Sequence, residues 1–84
     1  MTQTAESIGQ QLLAFINAEI AVSPEPIEAE TDLLLTGAVD SLGVVRVTQW
    51  MEDEFSFEVD PLDVTLDNFQ TVTKMVAYAE SKMA

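Results

Sequence analysis

Apolar residues recur along this chain at helical spacing in its first quarter, its middle and its last sixth. Ile8, Leu12, Phe15 and Ile16 share one face, which predicts an amphipathic helix from about Glu6 to Ile20. Thr4 or Ser7 offers a hydroxyl to cap its start, and Gln10, three residues after Ser7, would complete a capping box. Val44, Val47, Met51 and Phe55 repeat at i, i+3, i+7 and i+11 and predict a second helix from about Ser41 to Phe55. Asp40 stands before it as an N-cap or as an anion favoured by the helix dipole. Asp60 followed by Pro61 predicts a short third helix whose apolar residues are Leu62, Val64 and Leu66. The last helix starts at Phe69 or Val72 and reaches Met83, with Val72, Met75, Val76, Ala79 and Met83 as its buried face.

Between the first two helices lies AVSPEPIEAETDLLLTGAVD. Pro24 and Pro26 end the first helix and favour an extended start. Ile27, Leu33, Leu34 and Leu35 are too apolar for a free linker, so the segment reads as a long loop pinned across the bundle by these side chains. Gly37 permits a backbone turn before the second helix. A structureless loop of this length is usually functional. The elements sum to an all-α fold: one domain over residues 1–84, a small four-helix bundle with a long loop between helices 1 and 2 and a short helix 3. Leu42, Val45 and Gln49 fall nearly opposite the main stripe of the second helix. Two readings remain open for them: packing under the long loop, or a contact surface for partners.

Composition narrows the function. Hydrophobic residues make up 48% of the 84, enough to fold despite a charge of -12 from fifteen acidic and three basic residues. That charge repels nucleic-acid phosphates and anionic membranes, and its natural complement is a basic patch on another protein. It also strains the fold by self-repulsion, so salt or divalent cations should stabilise it. Cysteine and histidine are both absent, which excludes disulfides, the usual zinc sites and the Ser-His and Cys-His catalytic pairs. Asp60, Asp63 and Asp67 cluster, but without the spacing of a calcium loop, so no metal site is expected. No N-terminal run is apolar enough for a signal or a membrane span, which makes the cytoplasm the expected compartment.

The candidate chemistry sits in GAVDSLGVV, residues 37–45. A serine hydroxyl needs a base to act as a nucleophile at neutral pH, and one adjacent aspartate is a weak signal of that. Asp40 and Ser41 would serve equally well as a helix cap. A third role is that Ser41 accepts a covalent group from another enzyme. A phosphodiester attached there would lie beside the N–H groups and positive dipole end of the second helix.

GAVDSLGVVRVTQWMEDEF resembles the Asp-Ser-Leu attachment motif and second helix of the acyl carrier proteins and related peptidyl carriers. The likeness covers most of the chain, including the element order and the loop TDLLLTGAVDSL. It implies a non-catalytic carrier with 4'-phosphopantetheine on Ser41, transferred from coenzyme A by a phosphopantetheinyl transferase. Asp40 would help that enzyme and its metal ion recognise the site, and Leu42 would contact partners. The arm's thiol, the only thiol in the molecule, would hold an acyl group as a thioester for other enzymes. The resemblance also makes the second helix a docking element for basic enzyme patches, with Leu42, Val45, Arg46, Gln49, Glu52 and Asp53 as its partner face.

Gly43 stands where fatty-acid carriers usually have an acid, and Arg46 where they usually have a glutamate. Partner choice is expected at these two positions. Arg46 would exclude wrong partners by like-charge contact, or simply pair with Asp53 or Glu52 on the surface. DVTLDNFQTVTKMVAYAES is more similar to discrete carriers loaded by adenylating ligases, aminoacyl and D-alanyl carriers included. The expected function is therefore a free-standing, monomeric acyl or aminoacyl carrier of polyketide, nonribosomal peptide or related secondary metabolism. Its partners would be an adenylating ligase, an acyltransferase, or ketosynthase or condensation enzymes. The alternatives are a fatty-acid or D-alanyl carrier or, outside the family, an acidic adaptor that inhibits a basic partner. Trp50 and Met51 add bulk to the second helix, so a limited interior cavity and an exposed cargo are expected.

Overall fold

The computed structural model describes residues 4–21 and 25–83. Every regular element among them is helical. Pro24, read above as a helix stop, lies outside the described residues.

α1 spans Ala5–Phe15, and Thr4 rather than Ser7 caps it: the Thr4 hydroxyl accepts the Ser7 N–H at 3.0 Å. The helix then widens into one π-helical turn, Ile16–Ile20, closed by Ala21 N–H on the Ile16 carbonyl at 2.8 Å. Ile8, Leu12, Ile16 and Ile20 are buried along this face. Phe15 is only partly buried and stacks face to face on Trp50, with centroids 4.7 Å apart. Phe55 meets the other side of Trp50 edge-on at 5.6 Å. This aromatic row couples α1 to α2, Ser41–Phe55. The buried stripe of α2 is Gly43, Val47, Met51 and Phe55, at strict i+4 spacing, so Val44 sits at its edge rather than at its head. The helix stops at Ser56, whose backbone is left-handed (φ 56°) and whose N–H returns to the Glu52 carbonyl at 3.0 Å.

The predicted third helix is two pieces. Asp60 caps a single 3₁₀ turn, Pro61–Asp63, by accepting the Leu62 N–H at 2.9 Å. The backbone then leaves helical geometry at Val64 before α3, Leu66–Phe69. Two such short pieces cannot keep one continuous face, and the expected apolar anchors end outside: Leu62 is 85% exposed, and Val64 and Leu66 are exposed too. Phe69 is the residue that anchors this segment, with no exposed surface. α4 is Val72–Met83. Val72, Met75 and Ala79 are buried as expected, while Val76 and Met83 are only partly covered. Tyr78 is buried in addition, and its hydroxyl donates to Asp63 Oδ2 at 2.8 Å. α4 packs against α1 and α3 and, more lightly, against α2.

Two polar side chains fix the long loop. Asn17 grips Ile27 from both sides: its Oδ1 accepts the Ile27 N–H at 2.7 Å and its Nδ2 donates to the Ile27 carbonyl at 3.1 Å. Asp32 gathers the next stretch. Its Oδ1 accepts the N–H groups of Leu34 (3.2 Å) and Leu35 (2.9 Å), and its Oδ2 accepts Gln70 Nε2 at 2.8 Å. Beside it the Leu33 N–H donates to the Gln70 carbonyl at 2.8 Å. The Gln70 bond, and then the Leu35 N–H, hold the Asp32 carboxyl below its ordinary pKa. Ile27 and Leu33 are buried pins and Leu34 a half-buried one, but Leu35 stands 70% exposed, contrary to expectation.

Asn17→Ala removes three hydrogen bonds, counting one to the Leu13 carbonyl, and strands the Ile27 amide. It should lower unfolding stability by about 1–2 kcal/mol, read as a lower urea midpoint at unchanged slope. Burial, then the bond to Asp63, push the Tyr78 hydroxyl up to about 12. A raised folded pKa gives stability that is complete below the unfolded value, about 10, and is lost as pH rises through the folded one. Tyr78 is the only tyrosine, so phenolate absorbance should appear with a midpoint near 12. Asp63→Asn should move that midpoint part of the way back, with burial accounting for the remainder.

Candidate functional site

The long loop ends in a tight knot. The Val39 N–H donates to the Leu33 carbonyl at 3.0 Å and the Gly37 N–H to the Leu34 carbonyl at 3.3 Å. The Thr36 hydroxyl donates to the Asp32 carbonyl. Gly37 takes a φ of +76°, which only glycine adopts easily. Ala38 and Val39 are buried, so the chain reaches Asp40 from a fixed point. Asp40 is extended, and Ser41 is the first residue of α2. The turn from loop to helix is therefore completed at one bond, which places the serine on a corner.

Asp40 Oδ1 accepts the Gly43 N–H at 2.7 Å. Its carboxylate thus faces the helix backbone, as a cap does, and the site holds no base for Ser41. Ser41 is exposed, and its hydroxyl makes no hydrogen bond to a described residue. Such a hydroxyl is open to a modifying enzyme. The same corner suits a phosphodiester, because the first turn of a fifteen-residue helix presents its N–H groups and positive dipole end there.

Leu42 is 75% exposed and Val45 50% exposed, with exposed Gln49 and Asp53 following on the same side. The loop does not cover them, so the reading that packed Leu42 and Val45 beneath it fails. They form an outward stripe that begins beside Ser41. Glu52 belongs only partly to it, because its Oε2 accepts the Val59 N–H at 2.7 Å and anchors the segment after α2. Arg46 pairs with neither Asp53 nor Glu52. Its Nη1 donates to the Glu19 carbonyl at 3.0 Å, and its Nη2 lies 3.9 Å from Glu19 Oε1, at the end of the π-helical turn. A cation is favoured there, where the last carbonyls of a helix need donors.

Gly43 is not part of the outward surface. It is buried, and a Cβ on it would lie 2.8 Å from Ile20 Cγ2, 2.9 Å from Val39 Cγ1 and 3.2 Å from Asp40 Oδ1. The position selects glycine for a close approach of the first helix to the second, so partner choice is not read from its surface. Glu19, Ile20, Asn17 and Asp32 escaped the sequence reading as determinants of this corner. Asn17 and Asp32 act through backbone atoms, which leave no periodicity in a sequence.

The chain matches the phosphopantetheine attachment site family over residues 10–79, a span from within α1 to α4 that includes Ser41. The chain belongs to this family of carrier proteins. It is 30% identical over 77 residues to the D-alanyl carrier protein of Abiotrophia defectiva, covering 89% of this chain and 95% of that one. It is also 30% identical to the acyl carrier proteins of Thermotoga maritima, over 78 residues (93% and 94%), and of Bdellovibrio bacteriovorus, over 64 residues (76% and 80%). The carrier's cofactor is a covalently attached 4'-phosphopantetheine. No helix of the carrier among its described residues is long and apolar enough to cross a membrane.

The two helical glycines should respond oppositely to alanine. At Gly9 a Cβ meets only Val76 Cγ2, at 3.5 Å, so Gly9→Ala should raise stability by up to about 1 kcal/mol through helix propensity. At Gly43 the same gain is outweighed by overpacking of about 1–3 kcal/mol against two β-branched side chains, so Gly43→Ala should be net destabilising. Thermal unfolding of the two variants measures both signs.

Proposed function

We propose that Ser41 bears the 4'-phosphopantetheine arm and that the chain tethers an acyl or aminoacyl group on it for partner enzymes. The observation that carries this reading is the exposed Ser41 hydroxyl on a fixed corner, at the start of a helix capped by Asp40. The bound arm supplies a thiol, which holds the cargo as a thioester. The chain's own residues do the rest. Asp40 sets the corner and presents its second carboxylate oxygen to the transferase and its metal ion. Leu42 and Val45 seat in an apolar cleft of each partner, while Gln49, Asp53 and the overall charge of -12 steer basic surfaces to them. Arg46, fixed on Glu19 yet half exposed, sets one positive charge beside that stripe and disfavours partners whose basic groups crowd it.

The loading enzyme is an adenylating ligase that activates a carboxylic or amino acid with ATP. Similarity to the D-alanyl carrier protein over nearly its whole length supports this assignment. The pathway class that fits is polyketide, nonribosomal peptide or related secondary metabolism, in the cytoplasm. Similarity to acyl carrier proteins favours fatty-acid synthesis as the second reading.

Incubation with coenzyme A, magnesium and a broad-specificity phosphopantetheinyl transferase should add the mass of one phosphopantetheine to the intact protein. Ser41→Ala should add none and should keep the helical circular dichroism of the parent, since Ser41 is exposed and does not cap. An equal gain in the variant would move the attachment elsewhere.

A further inference from the structure

α1 and α4 leave an open groove of about 500 Å³ between them. Gly9, Leu13, Val72, Val76 and Ala77 form its apolar floor and walls, and its depth comes from Gly9, where no side chain fills the space beside Val76. The rim carries charge of one sign. Glu6 lines one side and Glu80 the other, and Glu30 adds a third carboxylate by accepting the hydroxyl of Thr73, itself a rim residue. The three basic side chains lie outside it: Arg46 is held on Glu19, Lys74 Nζ donates to Gln70 Oε1 at 3.1 Å, and Lys82 Nζ lies 6.0 Å from the Tyr78 ring centroid. No residue of α2 lines the groove, so it is separate from the stripe beside Ser41.

We propose that this groove is a second docking surface, and that its occupant is an amphipathic helix of a partner protein with a basic polar face. A trough between two helices accepts a third by taking apolar side chains at i, i+3, i+4 and i+7. The lysines or arginines flanking those anchors would then face Glu6, Glu30 and Glu80. Charge complementarity selects this occupant over a second copy, because two chains of charge -12 would bring like-charged rims together. It also selects it over a small apolar ligand, whose sites carry placed polar groups within the pocket, whereas the charges here stand at the edge. The surface remains available while partners occupy the Leu42 stripe, so a tethered partner can hold the carrier through α1 and α4 as another uses the arm.

The test titrates the full chain, labelled for amide NMR, with a synthetic helical peptide bearing leucines at i, i+3, i+4 and i+7 and lysines elsewhere. Saturable shifts are expected at Gly9, Leu13, Val76 and Ala77 and not at Leu42, Val45 or Gln49. The exposed double reversal Glu6→Lys/Glu80→Lys should weaken binding about tenfold, and Leu42→Asp should leave it unchanged. Shifts centred on α2, equal binding of a peptide with glutamates for lysines, or an unchanged affinity of the double reversal would each overturn the proposal. So would a groove that takes decanoate and excludes the peptide, or one whose amides are covered by concentration-dependent dimerisation. None of these outcomes depends on which residue bears the arm.

Discussion

The Asp32 carboxylate holds the molecule's functional end in place. One oxygen gathers two loop amides and the other reaches the Gln70 side chain, at the junction of α3 and α4. Without that tie the loop would be free to wander between Ile27 and Asp40. With it, Leu33 is pressed into the core, Val39 is bonded back to Leu33, and Asp40 is delivered at one orientation to the start of α2. The lowered Asp32 pKa is the electrostatic trace of this role, since its donors favour the charged form. A folded pKa below the unfolded one gives stability that is full above the unfolded value and fades as pH falls through the folded one. Presentation of Ser41 and acid stability therefore share one carboxylate.

α2 does two jobs on two sides. Its inner stripe, Gly43 to Phe55 at every fourth residue, joins the core. Its outer stripe starts at Leu42 and stays uncovered. The helix can serve both because its ends are fixed by other means: the Asp40 cap, the Gly43 gap for Ile20, the Arg46 contact with Glu19, and the Glu52 bond to Val59. Exposed leucine and valine beside the serine are then tolerable, since their partner face need not contribute to folding. For a carrier that is handed from enzyme to enzyme, this separation keeps docking from disturbing the bundle.

Much of this was legible in the sequence because periodicity is a strong signal over long helices. The spans of α2 and α4, the Asp40 and Asp60 caps, and the Asp-Ser-Leu corner were all readable. Short elements were not. Leu62, Val64 and Leu66 look like anchors by composition, yet one 3₁₀ turn and one α turn cannot hold them on a common face, and Phe69 does the anchoring. Leu35 looked like a core residue because it follows two that are, but Asp32 binds its amide and leaves its side chain in water. Gly43 and Arg46 looked like surface signals because their neighbours in sequence are exposed. Their partners, Ile20 and Glu19, lie more than twenty residues away in the chain, at a distance no local pattern reports.

The π-helical turn at Ile16–Ile20 has a consequence for how the chain can change length. A five-residue turn carries one residue more than an α-helical turn closes. Deleting a residue there would restore a regular helix and rotate whatever follows by about 100°, carrying Ile20 out of the gap at Gly43. The extra residue acts as a phase shifter between the first helix and everything after it. Insertions and deletions are thus confined to the loop beyond Ala21, and the turn before it fixes the register in which the two helices mesh.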